Sequence, residues 1–211
     1  TSGVVDEDSS IDVLLSGSDV DGDVLVYSVG NANNGLVTIN GSIATYTPFN
    51  NFNGNDSFSF TVNDGNLTDT ANVNVVVDPV NDAPVFVDNA LPSVDEDTAY
   101  NTTLSIEDID NNQDDLSLSI TSGPSWLNIN GLTLSGTPVN SDVGTSTVLL
   151  NVSDGSAITS ASFALTVNDV NDAPVAEDKQ IDVNEDEVTS ILVYGNDEDS
   201  EGLSFSITDT P

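Results

Sequence analysis

One spacing constrains this chain more than any other feature. The tetrapeptide Val5-Asp6-Glu7-Asp8 returns as Val94-Asp95-Glu96-Asp97 and as Val183-Asn184-Glu185-Asp186, 89 positions apart each time. Asp19-Val20-Asp21 keeps the same step to Asp108-Ile109-Asp110 and Asp197-Glu198-Asp199. Val80-Asn81-Asp82-Ala83-Pro84-Val85 reappears from Val170, and Asp64-Gly65 at Asp154-Gly155, both 90 positions on. Four markers in one register predict a linear array of similar modules, each with its own core. The units are residues 1–82, 83–172 and 173–211, the last stopping near its middle, so the chain reads as a piece of something longer. Half a module cannot close its core, and residues beyond Gly195 are expected to pack poorly. At the joints, Pro84 and Pro174 fix φ and bias the preceding Ala toward extended backbone, which suits a stiff connection.

Within a unit the hydrophobic period is two. Val24 to Val29, Ser42 to Thr47, Ser57 to Val62 and Ala71 to Val77 alternate apolar with polar side chains and read as strands. Leu116 to Ile120, Leu127 to Ile129, Leu132 to Leu134, Thr147 to Val152 and Ser162 to Val167 repeat the pattern in the second unit. Asn-Gly and Asp-Gly pieces separate them as turns, and no window has helical periodicity. About seven short strands per unit predict an all-β chain of tandem Greek-key β-sandwiches.

Charge narrows the chemistry. The chain holds 36 acidic residues against one basic residue, Lys179, for a net charge of −35. One cation cannot neutralise phosphates, so nucleic acid is excluded as a partner, and adhesion to anionic lipid is disfavoured. With no His and no Cys there is no Ser-His-Asp or Cys-His nucleophile and no zinc site of the usual type. No apolar run reaches the roughly 18–20 residues of a membrane span. The abundant ligands are carboxylate and carboxamide oxygens, the set that Ca²⁺ prefers. The repeated acids sit at strand ends and in loops, where carboxylates that converge repel one another unless a cation joins them.

These residues resemble a known family. Asp169-Val170-Asn171-Asp172-Ala173-Pro174 is similar to the Asp-x-Asn-Asp-x-Pro linker of cadherins, and the Asp-x-Asp loops and the Glu near each unit's start match as well. The whole chain resembles the cadherin-like and tandem Ig-like repeats of large bacterial surface adhesins. Pro124-Ser125-Trp126-Leu127 followed by Leu134-Ser135-Gly136-Thr137-Pro138 resembles the dystroglycan-type, Ig-like form of the repeat. The resemblance implies Ca²⁺ at the joints between domains. At the first joint it implies Glu7, Asp56, Asn81, Asp82, Asp108, Asp110 and Asp154 as ligands. At the second it implies Glu96, Asp142, Asp169, Asn171, Asp172, Asp197 and Asp199, while Asp19, Asp21 and Asp64 face a preceding unit. Asp56 and Asp142 enter only as loose positional equivalents of the cadherin Asp-Arg-Glu motif, which is absent here.

The function expected is a calcium-stiffened stalk segment of a secreted or cell-surface adhesin. Its partners are neighbouring repeats of the same chain, and it is not an enzyme. The alternative is a carbohydrate-binding module that adheres to surface polysaccharide through Trp126 or a calcium-bridged hydroxyl. Homophilic contact with another cell is a third option. Asp19 to Asp23 is not an EF-hand, because that loop needs Gly at its sixth position and Glu at its twelfth, whereas here the glycine, Gly22, is fourth and the twelfth residue is Gly30. Nothing in a short repeated sandwich supplies the cleft that glycosidase carboxylates need. Trp126 is expected in the core, with Tyr27, Phe58 and Phe60, and Phe49 and Phe52 are expected to anchor the Asn-rich loop between them and Asn55.

Overall fold

The computed structural model describes residues 2–199 and 202–206. The chain divides into two compact units, Thr1–Asp82 and Ala83–Pro211. The first has seven strands: β1 (Ser2–Asp6), β2 (Ile11–Leu14), β3 (Val26–Val29), β4 (Gly35–Asn40), β5 (Ile43–Pro48), β6 (Gly54–Asn63) and β7 (Thr68–Asp78). They form one sheet in the order β1-β7-β6-β3 and another in the order β2-β5-β4. The chain changes sheet between β1 and β2, β2 and β3, β3 and β4, and β5 and β6, which is a Greek-key sandwich. Strand β1 runs parallel to β7, and the other pairs are antiparallel.

The period of two places the core. Phe58 and Phe60 of β6 and Val73, Val75 and Val77 of β7 are buried, while Ser59 between the phenylalanines is half-buried and Asn74 and Val76 between the valines are exposed. A slip of one residue would turn the whole apolar set to water. Each such side chain contributes roughly 1.5–3 kcal/mol by leaving water. From the facing sheet comes Tyr46, fully buried, whose ring stacks on Phe58 with centroids 6.3 Å apart. Phe52 packs on this core, whereas Phe49 is exposed. Strand β3 starts two residues later than the sequence pattern predicts. The Asp19 carboxylate accepts the Asp21 and Asp23 N–H groups and holds the preceding segment as a loop.

Asp56 faces inward from β6 and is 7% exposed. Its Oδ1 accepts the N–H groups of Asn33 at 3.3 Å and Ser57 at 2.8 Å. Its Oδ2 accepts the Asn34 N–H at 2.8 Å and the Tyr46 hydroxyl at 2.9 Å. Four donors fill the lone-pair sites of a carboxylate. The sequence assigns Asp56 to a cation; the structure spends it on tying the 33–34 loop to Tyr46. Burial alone would raise its pKa, but the bonds from Asn34, Ser57, Tyr46 and Asn33 outweigh it and hold the carboxyl below the ordinary range.

The second unit repeats the plan with β8 (Val85–Phe86), β9 (Val94–Asp95), β10 (Tyr100–Thr103), β11 (Ile106–Glu107), β12 (Ser117–Ser122), β13 (Asn128–Asn130), β14 (Thr133–Gly136), β15 (Gly144–Ser153) and β16 (Ile158–Asn168). Its sheets are β12-β15-β16-β9 and β10-β14-β13, with β8 and β11 paired separately. Leu104, Ile106, Leu134, Val148, Leu150, Val152 and Leu165 form the centre of its core. Trp126 packs on that core and meets Tyr100 edge-on at 5.9 Å. A Cβ on Gly136 would lie 2.2 Å from the Trp126 carbonyl oxygen and 2.7 Å from its ring. The Pro-Ser-Trp-Leu and Leu-Ser-Gly-Thr-Pro motifs are thus the two halves of one close contact.

After the second Asn-Asp-Ala-Pro joint, β17 (Val175–Ala176) pairs with β18 (Gly195–Asn196). Most described residues from Ala173 on are exposed, so thin packing begins well before Gly195.

Asp56→Ala is expected to cost unit 1 roughly 2–4 kcal/mol by orphaning buried donors, read as faster amide exchange across β4 to β6. A depressed carboxyl pKa gives stability that is present above the ordinary aspartate value and lost as pH falls through the folded value, so the variant and wild type converge in acid. Gly136→Ala is expected to cost unit 2 about 1–3 kcal/mol by overpacking, read from the urea midpoint of Trp126 fluorescence. Unchanged midpoints would show that the two motifs are not in obligatory contact.

Candidate metal centre

Each unit buries one glutamate at the end of the strand that pairs in parallel. Glu7 follows β1 and is 2% exposed; Glu96 follows β9 and is 3% exposed. Both are held alike. The Glu7 N–H donates to the Asp78 carbonyl at 2.9 Å, and Glu7 Oε1 accepts the Val80 N–H at 2.7 Å. The Glu96 N–H donates to the Asn168 carbonyl at 3.1 Å, and Glu96 Oε1 accepts the Val170 N–H at 2.9 Å. The glutamate therefore fastens the outgoing end of β7 or β16 to the start of its own unit. The next residue turns the chain toward the other sheet with positive φ, 61° at Asp8 and 53° at Asp97, a conformation that Asp tolerates better than most residues. In the repeated tetrapeptide, Glu is the buried acid and the last Asp is the turn.

The loop aspartates each commit one oxygen to their own backbone. Asp108 Oδ1 accepts the Asp110 and Asn111 N–H groups, and Asp197 Oδ1 accepts that of Asp199. Asp19 does the same to Asp21 and Asp23, as described above. Asp64 Oδ1 accepts from Leu67 and Asn66, which hold its carboxyl below the ordinary range. Asp154 Oδ1 accepts from Ser156 and Ala157. At the joints, the Asn81 side-chain amide donates to the Asp82 carbonyl at 2.8 Å, and Asn171 repeats the contact with Asp172 at 2.9 Å. The Asp108 Oδ2 atom is buried and has no hydrogen-bond partner.

Among the described residues one group converges. Carboxylate oxygens of Glu96, Asp169 and Asp199 all lie within 4.8 Å of one another. Asp199 is steered there by the Asp172 N–H on Oδ2 and by the Asn140 amide on Oδ1 at 3.2 Å. Glu96 Oε2 is buried and accepts no hydrogen bond. The Val170 N–H pulls the Glu96 pKa down, but burial and the charges of Asp169, Asp172 and Asp199 outweigh it and hold the carboxyl above the ordinary glutamate value. Lys179, the only basic side chain of the sequence, donates to the Leu192 carbonyl at 3.0 Å and lies over the Tyr194 ring. An oxygen-only donor set with a buried carboxylate oxygen left over fits a hard divalent cation.

The sequence expectations fare unequally at this cluster. Glu96, Asp169 and Asp199 are brought together, with Asp172, Asn171 and Asp197 bonded beside them. Asp142 is not in the cluster: its Oδ2 accepts the Val139 N–H at 3.0 Å and closes the short 3₁₀ turn Asn140–Asp142. That turn carries Asn140, the residue that sequence reasoning missed, because no repeated marker points to it. Glu7, Asp56, Asn81, Asp82, Asp19, Asp21 and Asp64 lie in the first unit; Asp108, Asp110 and Asp154 lie in the second. Trp126 is half-buried against Tyr100, its indole N–H enclosed, which is the core position expected.

Residues 1–76 match the family described as "Bacterial Ig domain", and residues 83–168 match the one described as "Putative Ig domain". No curated protein sequence matches the chain. Among solved structures, human protocadherin-24 EC1-2 is 18% identical and has a TM-score of 0.57, over 81% of this chain and 95% of that one. Protocadherin gamma B7 extracellular cadherin domains 1–4 are 16% identical with a TM-score of 0.53, over 93% of this chain and 57% of that one. An endo-fucoidan hydrolase of glycoside hydrolase family 107 is 28% identical over 81% of this chain, with a TM-score of 0.39. The chain spans only 28% of that enzyme's length. Among the described residues no helix is long and apolar enough to cross a membrane. The chain therefore carries tandem Ig-like repeats built on a cadherin-like β-sandwich.

Proposed function

We propose that this chain is an extender segment of a secreted or cell-surface adhesin, stiffened by Ca²⁺ held at its joints. The carrying observation is the convergence of Glu96, Asp169 and Asp199 with one buried oxygen left without a donor. A cation there removes the mutual repulsion of three carboxylates. It also ties Asp199, from beyond the Asn-Asp-Ala-Pro joint, to Glu96 and Asp169 before it. Ca²⁺ suits the place because it takes six to eight oxygens in irregular geometry, so Asn171, Asp172, Asp197, main-chain carbonyls and water can complete the shell. By the repeat spacing, Glu7, Asn81 and Asp82, before the first Asn-Asp-Ala-Pro joint in sequence, and Asp108, Asp110 and Asp154, after it, are the residues expected to serve a second such site. On this reading residues 173–211 open a third repeat, and Asp19, Asp21 and Asp64 serve a preceding one.

The role is mechanical and not catalytic. The acids recur with the repeat, as joint residues must and catalytic residues need not. Extracellular calcium modules bind with Kd on the order of 10⁻⁴–10⁻³ M, so the segment would load outside the cell and stay slack before export.

Two measurements test this. Calcium about a hundredfold above Kd is expected to raise the melting point of unit 2 by roughly 10–20 °C, and small-angle scattering is expected to show a longer, narrower particle. Indifference of both to calcium would sink the proposal. Glu96→Gln separates the ligand from a structural role. The amide oxygen can still accept the Val170 N–H, and a buried charge is gone. In chelator the variant is expected to melt at or above the wild-type temperature, and in calcium to lose most of the gain. A variant that melts lower in chelator would make Glu96 a structural residue only.

A further inference from the structure

Four asparagines of the chain precede a glycine: Asn34, Asn40, Asn53 and Asn130. That pair of residues carries a reaction of its own. The glycine nitrogen can reach the asparagine Cγ, because glycine has no Cβ to hinder the approach. The attack needs a glycine N–H without a hydrogen bond, a carboxamide without other contacts and a backbone that can turn. The fold meets these needs at two of the four.

Asn40 and Asn130 stand 90 positions apart, at the same place in the two sandwiches. Each is exposed and precedes a two-residue hairpin turn, Asn40 lying opposite Ile43 and Asn130 opposite Thr133. Gly41 and Gly131 follow with φ of 63° and 59°, the conformation that the first central residue of such a turn adopts. Among the described residues nothing bonds the N–H of either glycine or the carboxamide of either asparagine. A Cβ on either glycine would meet no atom within 4 Å, so both tips stand clear of the sandwich. The turns are held from behind: the Leu15 N–H donates to the Ser42 carbonyl at 2.8 Å, and the Leu104 N–H to the Leu132 carbonyl at 3.0 Å.

The other two steps are closed. The Asn34 N–H donates to Asp56 Oδ2, and the Asn34 carbonyl accepts the Phe49 N–H at 2.8 Å. Gly35 is buried so closely that a Cβ there would lie 2.5 Å from the Tyr46 ring. Gly54 is a ladder residue of β6 opposite Val77, so its nitrogen cannot turn to Asn53 without opening the pairing of β6 with β7.

We propose that Asn40 and Asn130 are sites of spontaneous modification, converted through a succinimide into aspartate and isoaspartate. The glycine nitrogen gives its proton to solvent base and bonds to Cγ. The Cγ–Nδ2 bond breaks, and the carboxamide nitrogen takes up a proton and leaves as ammonia. Water then adds to one of the two ring carbonyls and the ring opens, at Cγ to give aspartate or at the main-chain carbonyl to give isoaspartate. One water is consumed and one ammonia released, with no change of oxidation state. Each event puts a negative charge beside a turn that has none. Isoaspartate also routes the main chain through Cβ, adding one atom where Asn40 pairs with Ile43 and Asn130 with Thr133, so the closing pair of the hairpin loses its register.

The test incubates the full chain in neutral buffer with chelator and maps its peptides by mass spectrometry after pepsin digestion in acid, where the glycine nitrogen keeps its proton. Electron-transfer fragmentation separates isoaspartate from aspartate. Ammonia is expected to leave Asn40 and Asn130 roughly tenfold or more faster than Asn34 and Asn53, whose reaction waits on local opening. In strong urea the four rates are expected to converge. Equal rates at all four in the folded chain, or faster loss at Asn34 or Asn53, would overturn the proposal. So would conversion of Asn40 and Asn130 to aspartate alone, because direct hydrolysis gives that product and the succinimide gives both.

Discussion

A buried carboxylate costs free energy unless donors or a cation answer it, and this chain contains one that donors satisfy and one that they do not. Asp56 and Glu96 are equally hidden from water, yet their pKa values move in opposite directions. Asp56 has four donors around two oxygens, enough to overcome the cost of burial. Glu96 has one donor on one oxygen and three acids nearby, which is not enough. The first is a finished piece of core and the second is an unfinished one. Acids that fold loops or tie strands are satisfied locally, and among the described residues Glu96, Asp169 and Asp199 converge beside the second Asn-Asp-Ala-Pro joint.

The buried glutamates also explain why the repeat holds its register. Glu7 and Glu96 each link the first residues of a sandwich to the residue just past its last strand. Removing that link would free the outgoing chain at the place where its direction matters most. The two neighbouring acids of the tetrapeptide have different tasks, one turning the chain and one pairing in the sheet, so a single acidic motif serves three geometrical needs.

Much of this was legible in the sequence. The period of two located β5, β6, β7, β12, β15 and β16 to within a few residues, because each has one face in a core. The short strands β1, β8, β9 and β11 lack enough alternation to stand out and are defined by pairing with distant segments. Glu96, Asp169 and Asp199 could be named from repeat spacing, which keeps residues at equivalent places in space. Asp56 and Asp142 could not be judged this way. Both Asp56 oxygens are taken by Asn33, Ser57, Asn34 and Tyr46, and Asp142 Oδ2 by Val139, and whether a lone pair is free is a tertiary fact. Asn140 carries no sequence signal, since its role depends on the turn that Asp142 closes.

The solitary Lys179 has a consequence outside structure proper. Trypsin-like proteases choose their cleavage point by seating a basic side chain in an acidic pocket. In 211 residues this chain offers them one such side chain, and its ammonium is held against the Leu192 carbonyl and the Tyr194 ring. Neither complete sandwich contains a bond that such an enzyme can recognise, whether folded or unfolded. The scarcity of basic side chains thus keeps both sandwiches out of the diet of a whole class of secreted proteases.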